Sequence, residues 1–264
     1  MRTAVSRSQR IVIKVGTSTL THPGGHLHLG RMEALVRQLS DLAAEGRQLV
    51  LVTSGAVGAG MGRLGLERRP AETLAKQALA ALGQGLLMHR YEALFAEYGR
   101  PVGQILLTGL DLEDQHRRAI AAGVISQLLT WGAIPIVNEN DSVSSEQIRV
   151  GDNDTLAARV AGMIGADLLV LLSDVDGLYT EDPRGKQGLS PLTAVTAGDD
   201  LDAMAGGAGS AGGTGGMVTK VQAARICAGA GIPMVLANGA LPGVLRSILA
   251  GETVGTLFRE VAGV

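Results

Sequence analysis

Apolar residues along this chain fall into short β-branched runs separated by longer stretches with helical spacing. "IVIKVG" (11–16) reads as a buried strand. "QLVLVTSG" (48–55), "PVGQILLT" (101–108), "AIPIVNEN" (133–140), "DLLVLLSD" (167–174) and "IPMVLAN" (232–238) read as further strands. Between the first two, "LGRMEALVRQLSDLAAEG" places Met32, Leu35, Val36, Leu39 and Leu42 on one helix face, with Gly46 where a C-cap belongs. The Ala/Leu/Gln-rich region 71–99 reads as two helices broken near Gly83 or Gly85, and "SVSSEQIRVGD" (142–152) as a small hairpin or flap. The alternation predicts an α/β chain whose mainly parallel sheet is covered by helices on both faces.

Composition narrows the picture. With 264 residues, 46% of them apolar, the chain can bury the core of one large domain or of two joined lobes. A formal charge of −2 offers no basic surface for nucleic acid, and 2% aromatics are too few for base stacking. The single cysteine, Cys227, excludes an internal disulfide framework and suits a reducing compartment; it reads as a small buried residue on a helix. Arg2, Arg7 and Arg10 before "IVIKVG" resemble the start of a leader, but the apolar run is short and Lys14 interrupts it. No stretch reaches the roughly 18 apolar residues of a membrane helix. A cytoplasmic chain without a membrane or nucleic-acid partner is expected.

Polar residues at the strand ends carry the candidate chemistry. Lys14 lies within an apolar strand, where a charge is costly unless partnered, although an edge lysine can snorkel. Ser54-Gly55-Ala56 ends a strand where backbone N–H groups can cradle an anion, as they can in any tight strand–helix turn. Asn138, Glu139, Asn140, Asp141, Asn153 and Asp154 form a polar group in sequence. Asp152 is placed to cap the following helix, and Asp154 lies in its first turn, where the helix dipole alone would favour it. The lack of nearby His or Cys argues against a transition metal, and no metal ligands are assigned. Ser173 and Asp174 could hold a nucleotide or cap a turn. "GGAGSAGGTGGMVTK" (206–220) has linker composition, yet it leads straight into a helical pattern. It is not a Walker loop, because Lys220 follows Thr219 rather than glycine and lacks a following Ser or Thr.

Taken in order, "KVGTSTL", "VTSGAVGAG", "NENDSV", "VGDND", "LLSDVDGLYTEDPR" and "GTGGMVTK" resemble the amino acid kinase family, from about residue 10 to 260. The "VGDND" and "GTGGMVTK" motifs are most similar to the members that phosphorylate the side-chain carboxylate of glutamate. The resemblance implies a three-layer αβα sandwich formed by one domain over 1–264, with a glutamate-binding lobe over about 1–165 and an ATP-binding lobe over about 166–264. It also implies MgATP as the phosphoryl source, with Mg²⁺ bound mainly through ATP. Lys14, Asp154 and Lys220 would be catalytic, Asp154 holding the two lysines. Ser54, Asn138, Asp141 and Asn153 would bind glutamate. Lys14, Ser173, Asp174, Thr214, Gly215, Gly216, Met217, Val218, Thr219 and Lys220 would bind ATP. A homo-oligomer, proline as feedback inhibitor and the reductase that consumes glutamyl phosphate are the implied partners.

Two departures qualify the resemblance. Many relatives carry a C-terminal PUA domain, and none is expected here because the sequence given stops just after "TVGTLFRE". Relatives commonly show Asn-Ala-Arg-Asn-Thr or a close variant where this chain has Ile120-Ala121-Ala122-Gly123-Val124, so altered, weaker proline inhibition is expected. The nearest rival reading is another carboxylate or phosphate kinase of the same fold, against which the residues following Lys14 in "KVGTSTL" speak. A rival of another class is a non-catalytic nucleotide- or metabolite-binding protein on the same scaffold. Retention of Lys14, Asp154 and Lys220 together speaks against it.

Overall fold

Long apolar runs become strands and their flanking periodic stretches become helices in the computed structural model, which describes residues 2–22, 24–144, 150, 152–181, 188–196, 199–205 and 216–259. In chain order the elements are α1 (Thr3–Ser6), β1 (Arg10–Val15), α2 (Thr17–Leu20), α3 (Leu29–Ala44), β2 (Gln48–Val52), α4 (Ala56–Leu64), α5 (Thr73–Ala96), β3 (Val102–Leu107), α6 (Gly109–Glu113) and α7 (Gln115–Thr130). There follow β4 (Ile134–Glu139), α8 (Asn153–Ile164), β5 (Leu168–Ser173), β6 (Ala194–Val195), α9 (Leu201–Ala205), α10 (Met217–Gly229), β7 (Met234–Asn238), α11 (Val244–Leu249) and β8 (Thr256–Phe258). The six anticipated strands are β1 to β5 and β7.

The chain divides into two compact units, Val15–Val150 and Met1–Lys14 with Gly151–Val264. In the first, the strand order is β3-β4-β2, all parallel. Every residue of β4 is buried, as expected of a strand covered on both faces, whereas β3 at the end of the order is half exposed. In the second, the order is β1-β5-β7-β8-β6. Here β5 and β7 pair in parallel from Leu169↔Met234 to Ser173↔Asn238, and β8 runs antiparallel to β7. The class is α/β with mainly parallel strands, as the pattern predicts.

Region 71–99 corrects an expectation. It forms one helix, α5, rather than two. Gly83 does not break it, because the missing side chain is a packing requirement. A Cβ at Gly83 would run into the Ala56 carbonyl oxygen, and one at Gly60 into the Leu79 carbonyl oxygen. The glycines of α4 and α5 therefore let the two backbones approach closely, and tertiary contact outweighs the weak helix propensity of glycine. Gly85 meets nothing within 4 Å and is simply tolerated. In α3 the five anticipated residues are buried, and Gly46 follows the helix in a left-handed conformation (φ 90°). Part of the anticipated 142–152 hairpin, residues 145–149 and 151, lies outside the described residues.

Candidate active site

In the unit containing residues 151–264, one carboxylate gathers two cations. β1 carries Lys14 near its C-terminal end, where the residue is only 8% exposed. Asp154 lies in the first turn of α8 and is 1% exposed. Asp152 takes the capping role there: its Oδ1 accepts the Asp154 and Thr155 N–H groups at 2.7 and 3.0 Å. Asp154 is thus spared from capping, and its carboxylate turns inward. Lys14 Nζ lies 2.5 Å from Oδ1, and Lys220 Nζ donates to Oδ2 at 3.2 Å. The Thr219 hydroxyl also donates to Oδ2, at 2.9 Å.

Burial by itself would push the Asp154 carboxyl upward. The Lys14 and Lys220 ammoniums, with the hydrogen bonds from Lys14 and Thr219, outweigh burial and hold it below the usual carboxylate value. Asp154 therefore carries its charge, and the cluster of two lysines and one aspartate has one net positive charge in a nearly enclosed place. Such a site favours an anion. Lys220 and Thr219 reach it from the first turn of α10, whose N-cap is Gly216 and whose N-terminal end has no side-chain cap. In the same turn Met217 is buried and Val218 is exposed. Thr214 and Gly215 lie outside the described residues.

Ser173 and Asp174 lie at the C-terminal end of β5. The Ser173 hydroxyl donates to Asp174 Oδ1 at 3.1 Å, and the Ser173 carbonyl accepts the Gly239 N–H at 2.8 Å. Ser173 is buried and Asp174 exposed. On the paired end of β7, Asn238 Nδ2 donates to Asp176 Oδ1 at 2.7 Å, which fixes the turn following Asp174. Thr256 Oγ1 accepts the Leu178 N–H at 2.8 Å and supports the far side of that turn.

In the unit Val15–Val150, the polar candidates collect at one strand edge. β2 and β4 run parallel in the register Val52↔Val137, and the Thr53 N–H continues the ladder to the Val137 carbonyl at 2.9 Å. Ser54 therefore leaves β2 beside Asn138 and Glu139 at the end of β4. Gly55, the N-cap of α4, adopts φ 100°, a left-handed conformation that only glycine takes without strain. Asn138 and Glu139 are buried, and Asp141 is half-buried in the turn after β4. Asn138 Oδ1 accepts the Glu139 N–H at 2.9 Å, and Glu139 Oε1 accepts the Val150 N–H at 3.0 Å.

Within one unit, then, Lys14, Thr219 and Lys220 all contact Asp154. Asn153 precedes Asp154 on α8, and Ser173 and Asp174 stand at the end of β5. In the other unit Ser54, Asn138 and Asp141 share the ends of β2 and β4. Residue-type reasoning overlooked Gln84 of α5, which accepts from Asn138 Nδ2 at 2.9 Å. Thr219, expected only as an ATP-binding residue, is also a second donor to Asp154 Oδ2. Gln84 and Gln77 are polar positions seven apart on a helix that also buries Leu79, Ala80 and Leu87, and that spacing was the available signal. Among the described residues no group of three or more His, Cys, Asp or Glu is placed to hold a metal ion.

The profile of the amino acid kinase family matches residues 9–238. A glutamate 5-kinase of Symbiobacterium thermophilum is 71% identical over 98% of this chain and 98% of its own length. A glutamate 5-kinase of Moorella thermoacetica is 55% identical over 97% of this chain and 68% of its own. One from Clostridium acetobutylicum is 53% identical over 96% of each. Among solved structures, the UMP kinase of Bacillus anthracis superposes with a TM-score of 0.67, covering 96% of both chains at 17% identity, a likeness of fold.

Proposed function

Because the chain belongs to the amino acid kinase family, we propose that it transfers the γ-phosphoryl group of ATP to the side-chain carboxylate of L-glutamate. The product, L-glutamyl 5-phosphate, opens proline biosynthesis. The observation that carries the substrate is the 71% identity to a glutamate 5-kinase over 98% of both chains. The buried cluster of Lys14, Asp154 and Lys220, with its net positive charge, supports the phosphoryl chemistry.

A carboxylate is already a nucleophile at neutral pH, so no general base is required. The barrier comes from bringing two anions together: like unit charges 4 Å apart repel by about 4 kcal/mol at an effective dielectric near 20. Lys14 and Lys220 offset that repulsion and stabilise charge spread over the in-line transition state. Asp154 orients both ammoniums while neutralising only one of their charges. The Thr219 hydroxyl further fixes Oδ2. Ser173, Asp174 and the segment 214–220 hold ATP, the glycines allowing close backbone approach. Bound through ATP, Mg²⁺ would supply further positive charge beside that of Lys14 and Lys220. Ser54, Asn138, Asp141 and Asn153 hold glutamate, Asp141 meeting its ammonium.

The protein works in the cytoplasm. Its Cys227 thiol is buried and pushed up to about 12 by that burial, which keeps it unreactive. It self-associates, proline is its feedback inhibitor, and a glutamyl phosphate reductase takes its product. Ile120 and Val124 face outward on α7. Their departure from the common pattern weakens proline inhibition, and a proline titration against glutamate checks this.

The primary test supplies MgATP, glutamate and hydroxylamine. γ-Glutamyl hydroxamate forms with the unsubstituted protein and not with Lys14→Ala. Absence of hydroxamate from folded unsubstituted protein overturns the glutamate reading.

A further inference from the structure

Two glutamines of α5, Gln77 and Gln84, lie seven residues apart and so share a helix face. Gln77 Nε2 donates to the Ser144 carbonyl at 2.9 Å, and Gln84 Oε1 accepts from Asn138 Nδ2 at 2.9 Å. They hold the segment Asn138–Ser144 at both ends. The orientation of each amide follows from its neighbours. The Glu139 N–H can only donate, so Asn138 meets it with Oδ1 and turns its NH₂ toward Gln84. Gln84 must answer with its oxygen, which directs Nε2 elsewhere.

That Nε2 is buried and has no hydrogen-bond partner among the described residues. The Ser144 hydroxyl, at the other end of the same segment, is in the same condition. A buried donor that has lost water and gained no acceptor destabilises the fold unless something completes it. α5 cannot simply withdraw, because Gly83 beside Gln84 is packed against the Ala56 carbonyl.

The geometry points to Gln84 as a further specificity-determining residue: its Oε1 immobilises Asn138 while its Nε2 donates to the α-carboxylate of the amino-acid substrate. This rests on the glutamate reading above. The α-carboxylate keeps its charge throughout the transfer, so fixed neutral donors suit it. The side-chain carboxylate accepts a phosphoryl group and needs cations instead.

The test is steady-state kinetics of the full chain with two acceptors, L-glutamate and its α-amide, comparing the unsubstituted enzyme with Gln84→Glu and Gln84→Met. Gln84→Glu keeps an oxygen for Asn138 but puts a carboxylate oxygen where the donor stood. The KM for glutamate is expected to rise about 10- to 100-fold, the range for losing a hydrogen bond to a charged group, with the KM for ATP unchanged. The α-amide carries its own donors and escapes most of that rise. Structural damage would affect both acceptors alike, so the ratio of their KM values is decisive, and Gln84→Met reads the same ratio should Gln84→Glu fold poorly. An unchanged ratio in a folded variant overturns the assignment of Gln84 alone. No turnover of glutamate by the unsubstituted enzyme overturns the glutamate reading and this assignment with it.

Discussion

Lys14 Nζ stands 2.5 Å from Asp154 Oδ1, and both side chains are almost wholly enclosed. With Lys220 on the other oxygen, the carboxylate spaces two ammoniums that would otherwise repel each other. Replacing Lys14 or Lys220 by methionine keeps the bulk and removes the charge. Loss of one preorganised contact that acts in the transition state is expected to lower kcat by about 100-fold or more, with a smaller effect on ATP affinity. Steady-state rates beside nucleotide-binding measurements check this. Unchanged turnover would place that lysine outside the site.

Asp154→Asn tests the same cluster through stability. It leaves two buried cations without their counter-charge, a loss of about 3–5 kcal/mol when one partner of a buried pair is removed. The loss depends on pH. Lys14 and Lys220 hold the Asp154 carboxyl below its ordinary value of 3.8 despite burial. Its contribution is therefore complete above that ordinary value and declines as pH falls through the lower folded value. Urea unfolding should separate the two proteins widely near pH 7, with the gap narrowing below about pH 4. A gap independent of pH would contradict the assignment.

Asp141→Asn addresses substrate recognition. Asp141 is half-buried in the turn after β4, beside Asn138 and Glu139. If its carboxylate meets the substrate's ammonium, the KM for glutamate rises by the equivalent of about 2–5 kcal/mol while the KM for ATP stays put. A lower melting temperature with an unchanged glutamate KM would make Asp141 only a brace for its turn.

Gly83→Ala and Gly85→Ala should move stability in opposite directions. At Gly85 a Cβ meets nothing within 4 Å, so alanine stabilises by about 0.5–1 kcal/mol through helix propensity. At Gly83 the same propensity gain is opposed by a collision with the Ala56 carbonyl. Overpacking costs about 1–3 kcal/mol in side-chain cores, and a backbone neighbour yields less readily, so the net effect is destabilising. Melting curves of the two variants decide it. A Gly83→Ala protein as stable as Gly85→Ala would show that α4 and α5 are not held in close backbone contact.

Much of the fold was legible because it is written in local periodicity. Apolar runs such as 11–13 and 168–172 mark strands buried on both faces, and the 3.6-residue spacing of Met32 to Leu42 marks the inner side of α3. The order of these elements then implies a mainly parallel sheet. A lysine inside "IVIKVG" likewise announced that something must balance its charge.

What the sequence could not specify was the partner. Lys14 meets Asp154, 140 positions onward, because strand order brings the end of β1 to the first turn of α8 and Asp152 has already taken the capping role. Gly83 could have ended a helix or admitted a neighbouring one, and only the Ala56 carbonyl against it distinguishes the two. Gln84 looks like any solvated helix residue until Asn138 is found beside it. Spacing along the chain encodes which face of an element is buried; which distant group shares that burial is decided only when the elements pack.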